Sequence, residues 1–251
     1  MNKGGIGINK KATKRLSYLL FATISLSFLV SLYVDNYFTY KEEPKIEKVA
    51  LVNSEESNEV EITEIDKIKK AYNNNDVVGN ISISDTNIDE VVFQSSNNSY
   101  YLNHNGYKEY DQYGEVFADY RIDFDTSKKI LIFGHNSSKI KTPFSNLEKY
   151  YDKNYYKNHK NITLTLENEV RTYAIFSVYV ETSDWSYMNL KFDSATDWYN
   201  HILKLKNKSL YDTGVDVEND DEVLILQTCS YNQNYNDYDK KYLLIISRMV
   251  K

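Results

Sequence analysis

The chain has 251 residues, 41% of them hydrophobic, and a formal net charge of −6 at pH 7. Removing the five positive charges of residues 1–15 leaves −11 for the rest, which argues against nucleic acid or an anionic lipid surface as the partner of that part. The single cysteine cannot form an internal disulfide, so a core of ordinary size must provide the stability.

The N-terminus has the pattern of a membrane anchor. Residues 1–15 are basic, and residues 16–34 form a run of 19 residues without a charge. As a helix this run spans about 28 Å, close to the thickness of one hydrocarbon core. A cleaved signal peptide would have a shorter apolar region and a small-residue cleavage site, whereas this run closes with Leu32, Tyr33 and Val34. We therefore predict a cytoplasmic basic segment, a transmembrane anchor at 16–34, and an extracytoplasmic remainder.

Residues 35–61 are polar and acid-rich, with too few apolar residues to form a core, and are predicted to be a stalk. One folded domain is predicted over residues 62–251, beginning with an amphipathic helix. The apolar residues of this helix are Ile62, Ile65, Ile68 and Tyr72.

Short strands dominate the rest of the chain, with two helical segments between them. The predicted helical segments are Pro143 to Tyr156 and Ala195 to Leu205. The predicted strands are Val77 to Ile83, Ile88 to Phe93, Tyr100 to Asn103, Glu115 to Tyr120, Lys129 to Phe133, Ile162 to Leu166, Thr172 to Val180, Glu222 to Gln227 and Tyr242 to Ser247. This pattern indicates a mainly antiparallel barrel or sandwich with peripheral helices.

Cys229 closes an apolar strand, where a thiol is a candidate nucleophile, although a free cysteine is more often a small buried hydrophobe. His135 closes another apolar strand in the same way, after Gly134. Because two strand ends can meet in one cleft, His135 could activate the thiol and later protonate a leaving amine. We interpret His159 and His201 as solvated. No cluster of metal ligands is evident, so no metal or cofactor is predicted.

Several segments resemble, in order and spacing, the class B sortases, which are cysteine transpeptidases of Gram-positive cell surfaces. One difference is Asn80, which stands where these enzymes usually have tryptophan. The similar segments are residues 74–83, 100–105, 117–121, 132–136 (Ile-Phe-Gly-His-Asn), 144–150, 208–212 and 226–231 (Leu-Gln-Thr-Cys-Ser-Tyr).

The resemblance implies a sortase-type closed β-barrel with a few peripheral helices, carried on the N-terminal anchor in the cell membrane. It also implies that Cys229 is the nucleophile and His135 the general acid and base. The substrates would be surface proteins with a C-terminal sorting motif. The enzyme would hold the cleaved protein as a thioacyl intermediate and transfer it to an amine of a peptidoglycan precursor, without a metal or cofactor.

The chain departs from the family at its third catalytic residue, an arginine that begins the strand after the cysteine loop. Tyr242 stands at that position, and Arg248 follows six residues later. Three alternatives remain: Tyr242 supplies the donor, Lys240 or Lys241 supplies it, or the strand register shifts and Arg248 is used. A catalytically impaired, sortase-like surface binding module is the alternative function.

Overall fold

The computed structural model of the chain describes residues 62–137 and 139–250. The predicted cytoplasmic segment, anchor and stalk, residues 1–15, 16–34 and 35–61, lie outside these ranges. Among the described residues, no helix is both long enough and apolar enough to cross a bilayer.

A closed barrel of eight strands dominates the described residues. Around the barrel the strand order is β1-β2-β3-β4-β7-β8-β6-β5, and β5 pairs with β1 to close it. The predicted mainly β barrel is confirmed, and the sandwich alternative is excluded. The strands are β1 (Val77–Ser82), β2 (Asp89–Phe93), β3 (Val116–Ala118), β4 (Lys129–Phe133), β5 (Asn161–Thr165), β6 (Val170–Glu181), β7 (Val223–Cys229) and β8 (Tyr242–Met249).

Adjacent strands of the barrel are parallel in two cases, β2 with β3 and β4 with β7. All other adjacent strands are antiparallel. Because β4 and β7 run in the same direction, their C-terminal ends lie at the same rim of the barrel. β8 is antiparallel to β7 and therefore begins at that rim. The rim thus brings together the chain after Phe133, the end of β7 at Cys229, and Tyr242.

The barrel interior is filled by aliphatic and aromatic side chains, including Ile132, Leu226 and Leu243, each of which is completely buried. Burying one such side chain stabilises the fold by about 1.5–3 kcal/mol. Strand residues alternate between the two faces of a sheet, so Gln227 and Cys229 share the outer face while Thr228 between them is buried.

The helix at the start of the domain is confirmed, and it is α1 (Glu64–Tyr72). The Thr63 hydroxyl accepts a hydrogen bond from the Asp66 amide, and the Asp66 carboxylate accepts one from the Thr63 amide, which together cap its N-terminus. Ile62 lies outside the helix and is 64% exposed, so its assignment to the apolar stripe was wrong.

The predicted helix from Pro143 to Tyr156 is two shorter elements that meet at Asp152. The first is a 3₁₀ helix over Pro143–Tyr151, and the second is α2 (Lys153–Asn158). Asp152 has an extended backbone and accepts a hydrogen bond from the Asn154 amide, so it ends one element and caps the next. The third helix, α3 (Ala195–Asn207), agrees with its prediction.

The predicted strand from Tyr100 to Asn103 is wrong, because Tyr100–Leu102 form a single 3₁₀ turn. The Asn97 side chain accepts hydrogen bonds from the amides of Ser99 and Tyr100, which starts the turn. Tyr101 is completely buried and its hydroxyl donates to Asp76. Burial of a tyrosine from a turn thus produced the apolar signal that resembled a strand.

Candidate active site

Cys229 is the last residue of β7, and His135 lies two residues after the end of the neighbouring parallel strand β4. Phe133, the last residue of β4, pairs with Gln227 of β7, so the residues two positions further on are His135 and Cys229. The Gly134 amide donates to the Gln227 carbonyl at 3.1 Å, which carries the sheet one residue past β4. A side chain at Gly134 would collide with the Phe144 ring, 2.7 Å from the position of a Cβ atom. The two predicted strand ends therefore meet.

The imidazole of His135 is held by the 3₁₀ turn at Tyr100–Leu102. Its Nε2 lies 2.8 Å from the Leu102 carbonyl oxygen. A carbonyl oxygen can only accept, so Nε2 carries the proton and Nδ1 keeps the lone pair when the ring is neutral. Leu102 was missed as a site residue, because a backbone carbonyl leaves no signal in a sequence.

The Cys229 side chain is exposed, so a substrate can reach it. Enough protein surrounds the sulfur that burial raises the pKa of the Cys229 thiol above its ordinary value. At neutral pH the thiolate is therefore scarce unless a base takes the proton. His135 follows the end of the neighbouring strand β4 by two residues, at the rim where Cys229 ends β7.

Tyr242 begins β8 directly opposite Cys229, with which it pairs in the sheet. Burial, and after it the charge of a Cys229 thiolate, raise the pKa of the half-buried Tyr242 phenol. The hydroxyl therefore stays protonated and can donate a hydrogen bond. The Trp185 ring meets the Tyr242 ring edge-on, with 5.6 Å between the centroids.

Arg248 lies at the opposite end of β8, where it pairs with Val223. Six residues separate it from Tyr242, which is about 20 Å along an extended strand. Its Nη1 lies 3.8 Å from the Asp221 carboxylate. Of the two lysines before β8, Lys240 is exposed, and the Lys241 ammonium donates to the Asn236 side chain at 2.6 Å.

The connection between β6 and β7 packs beside Cys229 and Tyr242, and the sequence did not reveal its shape. The 3₁₀ turn Trp185–Met188 in this connection places Tyr187 against β7. The buried Tyr187 hydroxyl donates to the Gln227 side-chain oxygen at 2.7 Å. Lys208 binds Glu181 and Asp184, which fixes the base of the turn. Trp185, Tyr187 and Gln227 thus lie beside Cys229 and Tyr242, and the sequence had assigned no individual role to any of them.

Three acidic residues in the loop before β7 have carboxylate oxygens close enough together to hold a cation. They are Glu218, Asp220 and Asp221. Asp221 lies beside Arg248, at the end of β7 opposite Cys229. A cation bound there would therefore take no part in chemistry at the thiol.

The chain is similar to known proteins over most of its length. The Sortase domain family model matches residues 81–248. The chain is 36% identical to Sortase B of Listeria monocytogenes over 180 residues, which are 70% of this chain and 71% of that protein. The crystal structure of Clostridium perfringens sortase B aligns with a TM-score of 0.67 at 29% identity, covering 74% of this chain and 99% of that one. The Staphylococcus aureus sortase B–substrate complex aligns with a TM-score of 0.67 at 25% identity, covering 76% and 87%.

Proposed function

This chain belongs to the sortase family as a class B member, a cysteine transpeptidase, and we propose that Cys229 is its nucleophile and His135 its general acid and base. The observation that carries this assignment is the register of β4 and β7, in which Phe133 pairs with Gln227, two residues before His135 and Cys229 respectively. The exposed thiol and the imidazole with its Nε2 bonded to Leu102 provide the two groups that acyl transfer needs.

The reaction proceeds in two steps at the thiol. His135 takes the proton of Cys229, and the sulfur attacks the threonine carbonyl carbon of a sorting motif. The C–N bond breaks as His135 returns the proton to the leaving amine, which leaves a thioester on Cys229. An amine of a peptidoglycan precursor then attacks the thioester, His135 accepts its proton, and the thiolate leaves. A thioester retains the energy of the cleaved amide, so the exchange needs no ATP.

Tyr242 takes the role of the family arginine in this proposal, because it faces Cys229 across β7 and β8. Its hydroxyl donates to the oxyanion that forms when the sulfur attacks the carbonyl. A guanidinium offers several fixed donors and a positive charge, whereas a phenol offers one neutral donor. The substitution therefore predicts slow turnover.

The substrates in this proposal are surface proteins that carry a C-terminal sorting motif. The apolar run at 16–34 and the basic segment before it support an enzyme held in the cell membrane with its catalytic domain outside. Protease should then reach the domain only from outside intact protoplasts, and the mature N-terminus should be Met1 or Asn2. A sequenced N-terminus beyond Val34 would contradict this placement.

Transfer of a peptide to an amine tests the proposed activity directly. The full chain, in detergent, is incubated with a library of C-terminal sorting peptides and a glycine peptide as the amine. We expect a product that joins the two peptides, and no product with Cys229→Ala. If peptide is bound but neither cleaved nor transferred by the unaltered chain, the surface binding module that Tyr242 suggests is the better description.

A further inference from the structure

Asn136 links the two proposed catalytic segments through its side chain. It directly follows His135, and its Nδ2 donates a hydrogen bond to the Cys229 carbonyl at 2.9 Å. Asn136 is 6% exposed, so its amide group is largely shielded from water, whereas Cys229 on the other side of the bond is exposed. The Asn136 amide group therefore connects the segment that carries His135 with the backbone of Cys229.

The bond lies where the backbone pairing of β4 with β7 ends. Phe133 and Gln227 are the last registered pair, and the Gly134 amide donates to the Gln227 carbonyl. The Thr228 hydroxyl then donates to the Gly134 carbonyl at 2.7 Å. Asn136 supplies the next link along the same edge, so a side chain continues the connection between the strands after the backbone ladder has stopped.

Each remaining part of the His135 segment is held by a different element. The Leu102 carbonyl binds the ring through Nε2, and the Phe144 amide donates to the His135 carbonyl at 3.2 Å. Neither of these contacts involves β7. Among these contacts, the Asn136 bond is the one that ties the segment to the residue that carries the thiol.

We propose that Asn136 is a positioning residue of the transpeptidation reaction, which keeps the His135 imidazole in place for proton transfer with the Cys229 thiol. This inference rests on the proposed function. It predicts an effect on kcat, because Asn136 acts through the catalytic pair and its amide is bonded to the protein backbone. Misplacing a reacting group by about 1 Å can reduce a rate about 10²-fold.

Alkylation of Cys229 by iodoacetamide, followed as a function of pH, measures the coupling of thiol and imidazole in the full chain. Because Cys229 is the sole cysteine, the reaction reports on it alone. Asn136→Leu keeps the branching of the side chain at Cγ and removes the donor. We expect its alkylation profile to move toward that of His135→Ala, kcat to fall about 10- to 100-fold, and KM to stay within about twofold. Asn136→Gln, which keeps an amide, should recover part of the loss.

A control is available at Ser177, whose hydroxyl donates to the Leu205 carbonyl at 2.7 Å. Ser177 is completely buried on β6, where it pairs with Ile246, away from Cys229 and His135, so Ser177→Ala removes a buried bond from a side chain to a backbone carbonyl. This variant should be less stable than the unaltered chain but should keep its alkylation profile. A profile shifted as far as that of Asn136→Leu would show that the effect is general destabilisation, and would overturn the proposal.

A double-mutant comparison separates positioning from other roles. If Asn136 acts by placing His135, Asn136→Leu has no further effect once His135 is alanine. Equal effects with and without His135 would overturn the proposal, as would an unaltered profile and kcat in Asn136→Leu. If Asn136→Leu does not fold, Asn136→Gln decides in its place: an intermediate profile supports the proposal and an unchanged one overturns it. An active Asn136→Leu beside an inactive Cys229→Ala would reject this inference alone, whereas an active Cys229→Ala would reject the proposed function.

Discussion

A histidine lies near each end of β4, and the two histidines have different partners. We call the C-terminal end the open end, because it is accessible to substrate, and the N-terminal end the closed end. After the C-terminal end, half-buried His135 lies level with the exposed thiol of Cys229. At the N-terminal end, Lys129 is 2% exposed and its ammonium nitrogen lies 2.9 Å from Nε2 of His201, which is 8% exposed.

Burial makes the second pair unsuitable for acyl transfer and makes the stability of the fold depend on its protonation. Burial, and after it the charge of Arg121, lower the pKa of Lys129 to about 7. Burial, the charge of Lys129 and the nearby Lys204 lower the pKa of His201 to about 3. The Phe192 ring covers both groups, 5.0 Å from the Lys129 nitrogen. A basic pair becomes catalytic only where substrate can reach it, and the rim of the barrel provides that access.

The largest expected effect follows from removing the thiol at the open end. Cys229→Ala deletes the nucleophile with little change in volume, so peptide cleavage should fall by about 10⁴- to 10⁶-fold while the fold is retained. Peptide cleavage and circular dichroism, measured on the same sample, check the two parts. Cleavage at the unaltered rate would end the assignment of Cys229.

Removing the imidazole should have nearly as large an effect. His135→Ala leaves a thiol whose pKa burial has raised, and no base beside it. We expect kcat/KM to fall by about 10²- to 10⁴-fold at neutral pH. His159→Ala is the matched control, because His159 stacks on Tyr155 away from the cleft and should leave turnover unchanged.

The next effect concerns the donor opposite Cys229. Losing a preorganised donor to an oxyanion typically slows a reaction about 10²- to 10³-fold, so Tyr242→Phe should be slower than the unaltered enzyme. Tyr242→Arg restores the family residue and should equal or exceed the unaltered rate. Arg248→Ala should change turnover little, because Arg248 lies at the far end of β8. An inactive Arg248→Ala beside an unaffected Tyr242→Phe would refute the role given to Tyr242.

The smallest effect on activity, and a clear effect on stability, is expected at the closed end of β4. The folded pKa of Lys129, about 7, is far below the value of about 10.5 for an exposed lysine, so the unfolded chain binds more protons between these values. The free energy of unfolding should therefore rise with pH from about 7 to 10. Lys129→Met should remove most of this rise and add about 1–3 kcal/mol at pH 7.

Denaturant unfolding at pH 7 and pH 9.5 measures both quantities. Lys67→Met is the control, because Lys67 is exposed on α1 and the same change of side chain there should leave the pH dependence unaltered. A Lys129→Met chain that is less stable at pH 7 would show that the buried amine is stabilising, and one that keeps the full rise would show that the pH dependence does not come from Lys129.

The sequence was sufficient to predict an element where the pattern of apolar residues depends on that element alone. Continuous apolar runs located β4, β7 and β8, and the positions of Cys229 and His135 after such runs predicted that the ends of β4 and β7 lie at one rim of the barrel. The pattern failed at Tyr101, whose burial in a turn imitates a strand. It also failed at His201, predicted to be solvated, because Lys129 of β4 packs against it from a distant part of the chain.

The contacts around the proposed active site could not be predicted for a related reason. Tyr187 meets Gln227 across forty residues of sequence, and the Leu102 carbonyl meets His135 through a turn. Neither contact follows from the periodicity of its own segment. Tertiary packing decides such contacts, and several of them determine how the reacting groups are oriented.

Trapping the acyl-enzyme is the most direct test of the claim that the open end of β4 is catalytic. The full chain is mixed with a cleavable sorting peptide without an added amine, quenched in acid, and measured by intact mass and peptide mapping. We expect one adduct, located on Cys229, removed by hydroxylamine, reduced in His135→Ala and retained in Lys129→Met. An adduct located elsewhere, or cleavage without a hydroxylamine-sensitive adduct on Cys229 at any time point, would contradict the account.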